Sequence, residues 1–150
     1  MKLNIKRFDE LTCAELYLII QARIDVFVVE QICPYPDLDD RDQDSIHVWL
    51  SDQGVLAAYA RVLSPDQTES EFCSIGRIVT TTAFRGKGMG KKIVSACIGI
   101  CEAEFNQSPI KISGQLYLKK FYEEFKFRQI DNIYLEDGIP HIAMIREASE

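Results

Sequence analysis

The stretch Arg85-Gly86-Lys87-Gly88-Met89-Gly90 constrains this chain more than any other. Three glycines alternate there, and an amphipathic helix follows. Met89, Ile93, Ala96, Cys97, Ile100 and Cys101 recur at helical spacing, while Lys91, Lys92 and Ser95 fall elsewhere. Ahead of the glycines, Phe72 to Thr80 carries Ile75, Ile78 and Val79 and reads as a buried strand. A strand, a glycine turn and a helix start together make an anion-binding device. The first N–H groups of a helix lack internal partners, and glycine lets a phosphate approach them with no Cβ in the way. A chain built like this grips a phosphorylated cofactor at the turn.

Charge placement agrees. The chain carries 17 Lys+Arg and 23 Asp+Glu, a net of −6. From Phe72 to Cys101 there are five basic residues (Arg77, Arg85, Lys87, Lys91 and Lys92) and no acid, so the remaining 12 basic and 23 acidic side chains net −11. A local positive field in an acidic protein steers one specific anion. Nucleic acid as the main partner is excluded by the lack of a basic stripe across a face.

Its 150 residues, 47% of them hydrophobic, suit one domain spanning 1–150 with a sizeable core. No apolar run is long enough to span a bilayer, and no membrane partner is expected. Charged residues occupy the N-terminus where a signal peptide needs its apolar stretch, so a cytoplasmic protein is expected. The five cysteines are odd in number, and Cys97 and Cys101 sit one turn apart on the apolar helix face as core thiols. Cys13, Cys33, His47 and His141 have no metal-ligand spacing, so no metal is expected.

Along the chain, Leu3 to Phe8 alternates as a strand. Thr12 with Glu15 forms a capping box for a helix whose Tyr17, Ile20, Ile24 and Phe27 share one face to about Val28. Gln31 to Ile46, with Pro34, Pro36 and five aspartates, is a loop. His47 to Leu50 and Val55 to Leu63 form a hairpin around Asp52-Gln53-Gly54, and Ser64 to Ser70 is a polar connection. After the glycine turn come a helix from Gly88 to about Phe105, a strand from Ile110 to Ser113 and a helix from Gln115 to Phe125. Phe127 to Tyr134 and Ile139 to Ile145 form a last hairpin around Glu136-Asp137-Gly138. This order predicts an α/β fold, a mixed and largely antiparallel sheet with helices on both faces.

Three kinds of glycine loop compete for the turn. The nucleoside-triphosphate pattern Gly-x-x-x-x-Gly-Lys-Ser/Thr is absent. The dinucleotide pattern fails because Lys91 stands where its third glycine belongs. Arg/Gln-x-x-Gly-x-Gly/Ala is matched by Arg85, Gly88 and Gly90, and through it the chain resembles the GCN5-related N-acetyltransferase (GNAT) superfamily. Ile75 to Thr80 resembles that family's central strand. Phe121-Tyr122-Glu123-Glu124-Phe125-Lys126-Phe127 resembles its Phe-Tyr-x-x-x-Gly-Phe segment, with Lys126 in the glycine's place. Arg23 to Gln31, Pro34 to Asp39 and Glu136 to His141 are similar to the ElaA-like group within it.

The resemblance implies an acetyl-CoA-dependent N-acyltransferase in which an amine, small molecule or peptide, attacks the thioester directly. It also implies a sheet splayed between the Phe72–Thr80 and Ile110–Ser113 strands, with pantetheine in the gap. N–H groups of Gly86, Lys87, Gly88, Met89, Gly90 and Lys91, with Arg85, would hold the pyrophosphate. A backbone N–H of Ile78, Val79 or Thr80 would polarise the thioester carbonyl, with Gly76 marking either a bulge that frees it or close packing. Tyr122 matches the general acid. Candidate bases for the ammonium are Glu30, His47, Glu136 and His141, with His141 and Glu30 preferred.

The run Asp37, Asp39, Asp40, Asp42 and Asp44 reads as a solvated loop or as a lure for a cationic substrate. Calcium is excluded because Ser45 and Ser51 stand where its twelve-residue loop requires glycine and glutamate. Arg23 is left between a substrate carboxylate and these aspartates. The alternative function is a CoA-binding sensor or interaction module without turnover, and the same glycines also leave a nucleotide-binding protein open. Homodimerisation is likewise open.

Overall fold

Thr12 starts the first helix as its spacing with Glu15 requires. Its hydroxyl accepts from the Glu15 N–H at 3.1 Å while Glu15 accepts from the Thr12 N–H at 2.9 Å. In the computed structural model, which describes residues 1–149, this helix is α1 (Cys13–Arg23). It then widens into a π-helical segment, Ile24–Glu30, seen in the Gln31 N–H to Val26 carbonyl bond five residues back. The buried face of α1 is Ile19, Ala22 and Arg23, and Tyr17 is exposed, contrary to the apolar period. A buried arginine belongs to that face, and a count of apolar residues alone misses it.

The chain divides into two compact units, one made of Met1–Val62 with Arg77–Cys97, the other of Leu63–Gly76 with the residues from Ile98 onward. In the first, β1 (Lys2–Arg7), β2 (Ile46–Asp52) and β3 (Val55–Leu63) form an antiparallel meander. Gln53 and Gly54, both at positive φ, close the β2–β3 turn in the twist that suits a hairpin. Trp49, Leu56, Tyr59 and Val79 pack with Ile19 and Ala22 of α1 as the unit's core. Fully burying an aliphatic side chain such as Ile19 contributes roughly 1.5–3 kcal/mol. The second half of β4 (Cys73–Thr80) and the start of α3 (Met89–Glu104) complete this unit.

The second unit opens on α2 (Pro65–Thr68), one turn capped by Ser64, within what reads as a polar connection. Its sheet pairs the first residues of β4 in parallel with β5 (Ile110–Gln115) through Cys73–Ile110 and Ser74–Lys111, and the pairing stops there. Strand β8 (Ile139–Arg146) runs antiparallel to β5 from Ile110–Arg146 to Gln115–His141. On its other side β8 pairs with β6 (Arg128–Gln129) and β7 (Tyr134–Glu136). The expected single strand from Phe127 to Tyr134 is thus two short ones. Asp137 and Gly138, both at positive φ, turn β7 into β8. Helix α4 (Lys119–Glu123) follows a 3-10 turn at Leu116–Leu118.

Strand order is β1-β2-β3-β4-β5-β8-β6, with β7 also on β8. The parallel β4–β5 pair beside antiparallel ones makes a mixed sheet, and with the four helices among the described residues the fold is α/β as read from the sequence.

Candidate functional site

The glycine turn keeps the geometry that its composition implies. Gly86 and Gly88 adopt φ of +72° and +77°, and open space lies where a Cβ would stand on either. Lys92 is bonded back to the Gly88 carbonyl at 3.2 Å, so the N–H groups of Met89 and Gly90 precede the ladder of α3. Those donors and the helix dipole favour an anion. Lys87 folds its ammonium onto the Ala83 carbonyl at 3.0 Å and over the Phe84 ring at 5.4 Å. Arg85 donates to the Thr80 carbonyl at 3.2 Å and to both oxygens of Glu30 at 2.6 and 2.9 Å. The Arg85 hydrogen bonds hold the Glu30 carboxyl below the usual carboxylate range.

Upstream on β4, the residue at positive φ is Arg77, at +53°, while Gly76 stays in the ordinary region with open space beside it. Of the two readings of Gly76, close packing is therefore not what the fold uses. The irregularity falls on its neighbour instead. Left-handed backbone at a residue with a Cβ costs roughly 1–2 kcal/mol, so something must hold Arg77 there. Its Nε lies 2.9 Å from Asp37 Oδ1, its terminal nitrogen donates to the Asp37 carbonyl at 2.9 Å, and its guanidinium lies 5.7 Å from the Tyr35 ring centre.

Asp37 belongs to a buried ionic network rather than to a solvated loop. Arg23 donates to Asp37 at 2.8 Å and to Asp42 at 2.7 Å, and Arg61 donates to Asp42 at 3.0 Å and to Asp39 at 2.7 Å. Arg23, Asp37 and Arg61 are almost fully buried, so each charge depends on its partners. Burial alone would raise the Asp39 and Asp42 carboxyls, yet the hydrogen bonds from Arg61 and Arg23 outweigh it and hold both low. Arg23 thus serves the aspartates, and Asp37, Asp39 and Asp42 are not available to attract a substrate.

His47 lies against the same network. Its Nε2 is 2.8 Å from the Asp42 carbonyl and its Nδ1 is 2.8 Å from the Tyr59 hydroxyl. A carbonyl only accepts, so Nε2 carries the proton and the Tyr59 hydroxyl donates to Nδ1. Burial lowers the His47 pKa, and with both nitrogens engaged this neutral histidine is structural.

In the second unit, Tyr122 of α4 is buried with its ring edge-on to Phe121 and Phe127 at 5.2 and 6.1 Å. Burial pushes its phenol up to about 12, which keeps it protonated near neutrality. Gly114 of β5 sits beneath the ring, and a Cβ there would stand 2.9 Å from a Tyr122 ring carbon. Lys126 takes φ of +66°, so the turn that ends this segment keeps the left-handed form usual for glycine. His141 of β8 is nearly buried, with Nδ1 2.7 Å from the Ile139 carbonyl and Nε2 3.2 Å from Glu136. Nδ1 therefore donates, and Nε2 is the basic nitrogen, beside a carboxylate that would receive an imidazolium.

Sequence reading overlooks Arg77, Asp37 and Gly114 as site-shaping residues. A glycine within a strand does signal close approach, and Gly114 carried that mark. Neither Arg77 nor Asp37 has a local signature, since their partners lie 40 residues apart. Among the described residues, no group of three His, Cys, Asp or Glu could hold a metal ion, and no helix is long and apolar enough to cross a membrane.

Comparison with known proteins matches this architecture to one family. A model of the acetyltransferase (GNAT) domain covers residues 21–148. The ElaA protein of Escherichia coli is 40% identical over 143 residues, spanning 93% of this chain and 92% of that protein. The crystal structure of ElaA superposes with a TM-score of 0.91 at 36% identity, covering 98% of this chain and all of that one. An acyl-CoA N-acyltransferase from Pseudomonas aeruginosa superposes with a TM-score of 0.92 at 36% identity, covering 97% of this chain and 99% of that one. The chain belongs to the GNAT acetyltransferase family, in its ElaA-like group.

Proposed function

We propose that this protein is an acetyl-CoA-dependent N-acetyltransferase, one 150-residue catalytic domain that moves the acetyl group to a primary amine by direct attack. The observation that carries this reading is the open, left-handed pair Gly86 and Gly88 at the start of α3. That geometry suits a diphosphate, which the N–H groups from Gly86 to Lys91 and the Arg85 guanidinium bind. The P. aeruginosa relative, an acyl-CoA N-acyltransferase, supports the acyl-CoA class.

Within this scheme an N–H from Ile78, Val79 or Thr80 polarises the thioester carbonyl, and one such donor is worth roughly 3 kcal/mol in the transition state. His141 Nε2 takes the proton from the incoming ammonium, and Glu136 stabilises the resulting imidazolium. The ion pair with Arg85 makes Glu30 a weak base. The amine nitrogen bonds to the carbonyl carbon, the C–S bond breaks, the thiolate takes its proton from Tyr122, and the proton shed by the new amide nitrogen restores the phenol. The acceptor amine, free or on a peptide, is engaged without metal; the reaction belongs to the cytoplasm, with no nucleic acid or membrane involved.

Incubating the purified protein with acetyl-CoA and polyamines, amino acids, aminoglycosides or peptides, with free thiol as the readout, tests the proposal. Amine-dependent thiol release is expected. Tight CoA binding with no release for any amine would instead make the protein a CoA sensor.

A further inference from the structure

We propose that Arg77 is a positioning residue, whose side chain is clamped by Asp37 and Tyr35 so that its own left-handed backbone aims the β4 amides that follow it. The role rests on the acyl-CoA reading above and adds to it the device that sets the oxyanion donor.

A regular strand alternates its N–H groups between two neighbours, and a left-handed residue interrupts that alternation. Here the interruption comes one residue before Ile78. Gly76, the residue able to turn left-handed without strain, does not do so. The conformation is therefore imposed from outside the strand, and the contacts that impose it are specific. Arg77 Nε meets Asp37 Oδ1 at 2.9 Å, and its terminal nitrogen donates to the Asp37 carbonyl at 2.9 Å and meets Asp39 Oδ2 at 3.4 Å.

The anchor cannot follow the arginine if the strand relaxes. Asp37 is fully buried and held independently by Arg23 through its carboxylate at 2.8 Å and its carbonyl at 3.1 Å. The Tyr35 hydroxyl donates to its other oxygen at 2.7 Å. Arg23 and Arg61 already fasten the aspartate loop to α1 and β3, so the strained Arg77 is not needed for that task. What Arg77 adds is a fixed backbone at the head of Ile78-Val79-Thr80.

Two substitutions separate the backbone effect from the loss of the side chain. Arg77→Val removes the clamp and favours the regular strand; Arg77→Gly removes the clamp and accepts positive φ. Coenzyme A and acetyl-CoA share the diphosphate, and only acetyl-CoA carries the thioester carbonyl, so a change in the ratio of their affinities between parent and variant reads the contacts of the acetyl group rather than those of the diphosphate. We expect the parent to prefer acetyl-CoA in calorimetric titration. Arg77→Val should shrink that preference about five- to tenfold, the worth of one hydrogen bond, with CoA affinity unchanged. Arg77→Gly should keep more than half of it.

Equal losses in both variants, an unchanged preference in Arg77→Val, a parent without preference, or weakened binding of both ligands alike would overturn the role. Should Arg77→Val fail to fold, as read from its melting curve, Arg77→Gly decides alone: retained preference supports the role and complete loss overturns it. A parent that binds neither ligand overturns the acyl-CoA reading and this role with it, whereas binding without the predicted ratios overturns the role only.

Discussion

Glu30 and Arg85 meet in a two-point ion pair, with contacts of 2.6 and 2.9 Å, at the mouth of the glycine turn. The guanidinium that a diphosphate would engage is therefore already engaged. Both side chains are over 40% exposed, so the pair is worth at most about 1 kcal/mol and yields readily to a dianion.

Competition of this kind predicts that Glu30→Gln binds CoA more tightly than the parent, by roughly three- to fivefold, the equivalent of an exposed ion pair. Titration calorimetry at fixed ionic strength checks this. Weaker binding in Glu30→Gln would mean that Glu30 organises Arg85 for the ligand instead of competing with it.

Tyr122 and Gly114 form a second linked pair, because the glycine leaves the space in which the ring lies. Tyr122→Phe keeps the ring and removes the proton, so turnover should fall about a hundredfold with CoA affinity unchanged. Gly114→Ala keeps the proton and displaces the ring, so it should lower turnover and also melt at lower temperature. Steady-state kinetics beside thermal melts distinguishes them; parent-like turnover in Tyr122→Phe would remove the acid role.

The buried ionic network sets how stability depends on pH. Asp39 and Asp42 are held below their unfolded value of about 3.9, so their contribution is full above that pH and is lost progressively as pH falls from there toward their lower folded-state values. His47 is also depressed, and since the unfolded chain takes up its proton near pH 6.5, its contribution fades as pH falls below about 6.5. Stability should decline gently below about pH 6.5 and steeply below about pH 4. Asp42→Asn leaves Arg23 and Arg61 short of a buried partner and should cost about 3–5 kcal/mol at pH 7, while flattening the lower limb only. Denaturant titrations across pH measure both effects, and an unaltered acid limb would contradict the assignment.

Lys126 carries a local strain that the sequence itself displays. It holds φ of +66° where the related motif has glycine, so Lys126→Gly should stabilise the protein by roughly 1 kcal/mol and raise its melting temperature by about 2–4 °C. No change in melting would show that the left-handed turn is relaxed without glycine.

Much of the fold was legible because it rests on neighbours in sequence. The Thr12–Glu15 box, the Gln53-Gly54 and Asp137-Gly138 turns and the Gly86–Gly90 loop each declare themselves within a few residues. The aspartate loop did not, because Arg23, Asp37, Asp42, Arg61 and Arg77 are brought together only by the tertiary fold. The same cause hid the true face of α1, where buried Arg23 stands among apolar residues and Tyr17 points outward. Of the candidate bases, His47 has both ring nitrogens engaged in the interior, and Glu30 is engaged by Arg85.

Titrating coenzyme A into the parent and into Gly88→Glu by calorimetry tests the central claim most directly. Gly88 sits left-handed at the head of α3, so a carboxylate there would meet the diphosphate and cost the fold only about 1 kcal/mol. One-to-one binding by the parent, weakened about a hundredfold or more in a variant that still melts within a few degrees of it, is the expected result. Equal affinity in the two proteins would place the diphosphate away from this turn and contradict the account.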